Sequence, residues 1–283
     1  MHGIHTALVT PFAADGAVDL TAYAALCGRQ LDAGIHGLVP CGTTGEAATL
    51  THDEWRACIE TAVRVSDGRV PVTAGVGTNN TASTVANLEA AAAAGATAGL
   101  LVFPYYNKPN PDGLREHVRR SARVGLPLVL YHVPGRTAQH LPAGLLAGLA
   151  NVDGVIAVKE ATGDLRYGTD VIRRTEASIL SGDDFTFLPL LAAGGTGCIS
   201  VVSNVAPAQT VAVYDRFEAG DLDGARGQLM ALWPLIEFLF CDSNPVPCKA
   251  ALATLGHCGA QPRLPLAPFS GTVPSDLLHE LLG

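Results

Sequence analysis

Eight short apolar runs, each followed by a longer stretch with helical spacing, recur through the first 220 residues of this 283-residue chain, and that alternation narrows the possible folds most. The runs lie at 4–10, 36–41, 70–74, 99–103, 127–132, 154–159, 178–181 and 197–201. Helical patterns follow at 20–33, 52–66, 82–94, 112–124, 142–150, 165–175, 185–193 and 208–218. Continuous apolar runs without polar alternation suit parallel strands covered on both faces, and eight strand-then-helix units can close a parallel barrel. An open doubly wound sheet would want a glycine fingerprint after its first strand, and Pro11-Phe12-Ala13-Ala14-Asp15-Gly16 supplies none. The expected fold is therefore α/β: a (β/α)8 TIM barrel over residues 1–220 with an appended C-terminal helical domain over 221–283. In that second part the helical patterns at 221–240, 246–255 and 275–282 have no strands between them. Thr51 with Glu54 predicts a capping box, and Asn110-Pro111 an N-cap followed by a proline in the first turn.

The 48% of hydrophobic residues is enough for a large core, and a net charge of −8 without any Lys/Arg run argues against nucleic acid or an anionic membrane as partner. Seven scattered cysteines, never in a C-x-x-C pair, read as reduced thiols, so a cytoplasmic setting is expected. Neither a leader nor a membrane span is expected. The histidines show no H-x-x-x-H spacing, so no catalytic metal is expected either. A small-molecule partner remains.

Lysine is scarce: Lys108, Lys159 and Lys249 stand against fifteen arginines. Lys159 ends the run Gly154-Val155-Ile156-Ala157-Val158-Lys159-Glu160, a buried strand that would deliver an amine to its carboxyl end. Burial makes the ammonium costly and favours the neutral, nucleophilic amine that forms Schiff bases. A structural ion pair with Glu160 or a nearby carboxylate is the alternative.

In a barrel of this type the reacting groups sit at the carboxyl ends of strands and in the loops beyond them. After the second run comes Gly42-Thr43-Thr44-Gly45-Glu46, whose glycines allow a tight turn that either presents N–H groups and hydroxyls to an anion or simply caps a helix. After the fourth come the paired tyrosines Tyr105 and Tyr106. The fifth ends in Tyr131 and His132; if Tyr131 faces the barrel interior near Lys159, His132 faces away. In the loop 133–137 Arg136 could clamp a carboxylate or form a surface ion pair. Asp183 and Asp184, after the seventh run, read as a cap on the next helix rather than a metal site.

Taken together, residues 42–46, 104–109, 131–137, Lys159-Glu160-Ala161-Thr162-Gly163, 181–184, 197–201 with Asn204, and 244–249 resemble, in order and spacing, the dihydrodipicolinate synthase branch of the pyruvate-dependent class I lyases. The resemblance implies a homotetramer, a dimer of dimers, that condenses pyruvate with aspartate semialdehyde for diaminopimelate and lysine synthesis. It implies no metal and no cofactor beyond a covalent imine between pyruvate and Lys159. Tyr131 would shuttle protons in a relay with Thr43 and with Tyr106 of a neighbouring subunit. Thr44 with the backbone at Gly182 and Ile199 would hold pyruvate, and Arg136 the carboxylate of the second substrate. The alternative is a lyase of the same family acting on sugar acids, N-acetylneuraminate or a 2-keto-3-deoxy-sugar acid. Arg136, in its Val-Pro-Gly-Arg-Thr context, favours the synthase. Ala138 stands where the family often has glycine, a departure that matters only if the position needs a positive φ.

Overall fold

In the computed structural model, which describes residues 1–282, the eight apolar runs become eight strands. These are β1 (Gly3–Ala7), β2 (Gly37–Val39), β3 (Thr73–Gly75), β4 (Ala98–Val102), β5 (Leu128–His132), β6 (Val155–Glu160), β7 (Ser178–Ser181) and β8 (Gly197–Ser200). All pair in parallel, in the order β2-β1-β8-β7-β6-β5-β4-β3. A single parallel bridge between Leu38 and Val72 joins the two ends, so the sheet is a nearly closed barrel.

The strands are shorter than their apolar runs, for identifiable reasons. Beyond Leu8, whose N–H still donates to the Val39 carbonyl (3.1 Å), the chain leaves the sheet: the Val9 N–H donates to the Asn204 side chain (3.1 Å) and the Thr10 hydroxyl to the Gly45 carbonyl (2.8 Å). Pro71 has no N–H for a ladder, which moves the third strand from the expected 70–74 to Thr73–Gly75.

Around the barrel run α1 (Leu20–Asp32), α2 (His52–Ser66), α3 (Thr81–Ala93), α4 (Pro111–Ala122), the short α5 (Pro134–Thr137), α6 (Ala143–Ala150), α7 (Leu165–Ile172), α8 (Phe187–Ala192) and α9 (Pro207–Glu218). The Thr51–Glu54 capping box starts α2, and the Asn110 side chain caps α4 ahead of Pro111. α5 occupies what the sequence suggests is loop; Gly135 lies within this turn and has no positive φ.

Beyond α9, α10 (Leu222–Leu239), α11 (Val246–Thr254) and α12 (Ser275–Leu282) form the appended helices. Among the described residues no helix is long and apolar enough to cross a membrane.

Two apolar layers follow from strand parity. The larger lies between strands and helices and takes in Leu232, Leu235, Ile236, Leu252 and Leu278 of the C-terminal helices, so these share a core with the barrel's own helices. The smaller lines the barrel interior: Ala7, Val39, Ala98, Leu100, Val129, Tyr131, Val133, Ala157, Leu180 and Ile199. Lys159, two residues beyond Ala157, shares that inward parity.

Candidate active site

β5 and β6 lie in register with Tyr131 opposite Lys159. Both side chains face the barrel interior, and the Lys159 Nζ sits 4.3 Å from the centroid of the Tyr131 ring. Lys159 is 5% exposed and Tyr131 6%. Among the described residues nothing hydrogen-bonds or ion-pairs with the Lys159 amine. The ring face lies beneath it, and apolar Ala157, Leu180 and Ile199 belong to the same interior layer. The ion-pair alternative does not hold, because Glu160 points to the other side of its strand and accepts from the Thr162 N–H (2.7 Å). Burial raises the Glu160 pKa.

Gly182 is packed on the stem of Lys159: a Cβ built there would lie 2.8 Å from the lysine Cε and 2.7 Å from the Ala161 Cβ. Only glycine lets the loop after β7 approach the amine this closely. Ile199, fully buried on β8, completes the wall.

The loop Gly42–Glu46 folds over the adjoining part of the mouth. The loop makes the expected tight turn, with Gly45 N–H donating to the Gly42 carbonyl (3.1 Å), and its left-handed residues are Cys41 (φ 57°) and Glu46 (φ 53°), just outside the glycines. Gly45 serves close approach instead, its position for a Cβ lying 3.1 Å from the Cys41 N and the Leu8 O. Gly45, Glu46 and Ala47 donate their N–H groups within the loop, whereas those of Thr43 and Thr44 have no acceptor among the described residues. Two backbone donors and the half-buried Thr43 hydroxyl are therefore available to an anion. Thr44 is buried and accepts from the Asn244 amide (2.9 Å).

Arg136, on α5, is exposed and donates to the Asn244 carbonyl (3.3 Å). An open cleft of about 660 Å³ runs beside it, lined among others by Pro134, His140, Ala161, Thr162 and Ser243. Ala138, which ends α5, has φ 55°, so the alanine does occupy a left-handed position. Tyr106 lies apart from this group. It is 89% exposed on a loop where it and Lys108 have positive φ, and the loop is tied back by the Asn107 amide to the Asn79 carbonyl (2.8 Å).

His132 faces away from the barrel, fully buried against the rings of Phe103, His140 and Tyr167. Burial pushes its pKa down to about 4, with His140 adding to the effect. The acidic pair corrects a second expectation. Neither Asp183 nor Asp184 caps α8, whose start carries no side-chain cap. Asp183 accepts from the Phe185 N–H (2.9 Å), closing a local turn. Asp184 is buried and accepts from the Ser200 hydroxyl and the Val201 N–H (2.9 Å), which fastens the loop after β7 to the end of β8. Desolvation raises its pKa to about 6. Among the described residues no cluster of His, Cys, Asp and Glu is arranged to hold a metal ion.

Sequence reasoning assigned no role to one buried group. Lys249 on α11 ion-pairs with Glu46 (2.7 Å), both essentially inaccessible, and its Nζ sits over the Phe12 ring. The rarity of lysine and its place at the end of the segment 244–249 were the signals pointing to it.

Comparison with known proteins agrees with this geometry. Residues 1–280 match the sequence profile of the dihydrodipicolinate synthetase family. A 4-hydroxy-tetrahydrodipicolinate synthase from Sorangium cellulosum is 49% identical over 273 residues, 95% of this chain and 91% of that protein. The crystal structure of a chloride-inhibited dihydrodipicolinate synthase from Acinetobacter baumannii, complexed with pyruvate, superposes with a TM-score of 0.95 at 37% identity, covering 99% of this chain and 97% of that one. A monomeric dihydrodipicolinate synthase variant also superposes at 0.95, with 37% identity over 100% of this chain and 96% of its own.

Proposed function

This chain belongs to the dihydrodipicolinate synthetase family, and from that premise we propose that it condenses pyruvate with aspartate semialdehyde to give 4-hydroxy-tetrahydrodipicolinate, a step toward diaminopimelate and lysine. The observation that carries the reading is the unpaired amine of Lys159 over the Tyr131 ring, inside an apolar barrel mouth.

The Lys159 amine attacks the keto carbon of pyruvate, and water leaves as the imine forms. The iminium draws electrons from the neighbouring methyl carbon, so a proton departs to give an enamine. That carbon bonds to the aldehyde carbon of the second substrate, whose oxygen takes up a proton. Closure of the ring follows when the second substrate's own amine displaces Lys159 from the former keto carbon. The imine is the electron sink, so the chemistry calls for no metal and no other cofactor.

Tyr131 moves the protons, in a relay with Thr43 and with Tyr106 of a neighbouring subunit. Phenols and hydroxyls suit a dry site because a hydrogen-bonded chain passes a proton without stranding a charge. The Thr43 and Thr44 N–H groups, with the backbone at Gly182 and Ile199, hold the pyruvate carboxylate and keto group. Arg136 binds the carboxylate of aspartate semialdehyde through its planar fork. Exposed Tyr106 supports assembly through that loop into a homotetramer. The similar monomeric variant means that fold alone does not fix the assembly. A reducing cytoplasm suits the scattered thiols.

Purified enzyme given pyruvate and a panel of aldehydes tests the reading. Turnover with aspartate semialdehyde at least about a hundredfold above that with sugar aldehydes is expected, the scale on which one lost charged contact shows. Equal or better use of sugar aldehydes contradicts it and favours a sugar-acid lyase.

A further inference from the structure

The keto-acid loop is bounded by two left-handed residues that are not glycine, and one of them is fastened from outside the barrel. Such conformations persist only where the surroundings over-determine them. At Glu46 both carboxylate oxygens are taken by the C-terminal part of the chain: Oε1 accepts from Lys249 Nζ on α11 (2.7 Å) and Oε2 from the Arg263 N–H (2.8 Å). Phe12 lies beneath both cations, 4.1 Å from the Lys249 Nζ and 4.3 Å from the Arg263 guanidinium. That guanidinium also donates to the Gly16 and Thr49 carbonyls and pairs with Glu54. A second tie reaches the same loop two residues earlier, where Asn244, between α10 and α11, donates to the Thr44 hydroxyl. The loop over the barrel mouth is thus held at Thr44 and at Glu46 by the appended helices and the segment after them, while the barrel meets it at Gly45 through Thr10.

We propose that Glu46, held by Lys249, is a positioning residue for the keto acid: the buried pair fixes the left-handed turn that aims the Thr43 and Thr44 donors into the barrel mouth. Neither residue touches the reacting atoms. Their effect is on the capture of pyruvate, the first substrate, and not on recognition of the aldehyde, whose proposed clamp is Arg136 on a different loop. The appended helices are therefore part of the pyruvate site. This rests on the reading that the loop 43–44 binds pyruvate, so its test carries a separate check of that reading.

The test compares Glu46→Gln with wild type in two assays: pyruvate half-saturation of borohydride-trapped imine, and steady-state constants for both substrates. The expected result is a rise of about tenfold or more in the pyruvate half-saturation, with KM for aspartate semialdehyde within about twofold. Leu88→Ala, buried in α3, is the control for general loss of stability and leaves the pyruvate half-saturation unchanged. If Glu46→Gln does not fold, the Glu46→Gln/Lys249→Met double variant removes both charges together and is expected to show the same split. Wild-type pyruvate saturation in a folded variant, or an equal rise for both substrates, overturns the proposal. A crystal structure of the borohydride-reduced pyruvate adduct of the wild type is determined in parallel. A pyruvate carboxylate out of hydrogen-bond reach of the Thr43 and Thr44 N–H groups would instead remove the reading of the loop itself.

Discussion

Three lysines occupy three environments, and environment decides which can act as a nucleophile. Lys108 is exposed on a loop. Lys249 is buried, which lowers its pKa, and Glu46 opposes that shift; removing one partner would leave the other unpaired, at about 3–5 kcal/mol. Lys159 alone is buried in the barrel interior with no carboxylate against it. Ala138 makes a separate residue-scale prediction. At φ 55° it bears a left-handed strain of about 1–2 kcal/mol, of which a glycine's extra unfolded-state entropy would cancel part. Ala138→Gly is expected to raise stability by about 0.5–1 kcal/mol in urea titrations; an unchanged or lower value would mean the strain is absent. Much at this scale was legible in the sequence: parity alone turned Tyr131 inward and His132 outward. The Glu46–Lys249 pair was not, because its partners are 203 positions apart and no local pattern links them.

At the scale of elements, buried histidines couple strands and helices to pH. His5 on β1, His117 on α4 and His132 on β5 each have a pKa pushed down to about 4 by burial. The unfolded chain takes up these protons first, near pH 6.5, so stability is full above that pH and falls as pH drops toward 4. Asp184 acts in the opposite sense. Its folded pKa of about 6 lies above its ordinary value, so it favours the folded state on the acid side and offsets part of the loss. Between pH 7 and 4.5, His132→Leu should lose about 2 kcal/mol less stability than the wild type, measured by urea unfolding at both pH values. An unchanged difference would show that burial does not lower the His132 pKa. Strand and helix identities were legible from periodicity, and the α2 and α4 caps from their side chains. The short α5 and the early end of β1 were not. A four-residue turn leaves no period, and β1 ends because Asn204, far along the chain, takes the Val9 N–H.

For the whole molecule, the alternation of runs made the barrel legible, but the way the C-terminal helices share its core depends on contacts between distant segments. Assembly is the open structural link to catalysis. Tyr106 stands 89% exposed, away from the Lys159 cluster, and would complete a relay only from a second copy. Mixing Tyr106→Ala subunits with Lys159→Ala subunits, each nearly inactive alone, should form dimers in which one site regains both groups. Random pairing of equal amounts predicts recovery of about a quarter of wild-type activity. No recovery, with mixed dimers demonstrated by mass spectrometry, would place the action of Tyr106 within its own subunit or remove it.

The proposed catalysis depends most on one covalent bond. Borohydride reduction of the enzyme with pyruvate, followed by peptide mass mapping, should find a pyruvate adduct on Lys159 and none on Lys108 or Lys249. A Lys159→Arg variant should trap nothing. An adduct on Lys249, or undiminished trapping in the Lys159→Arg variant, would contradict the account.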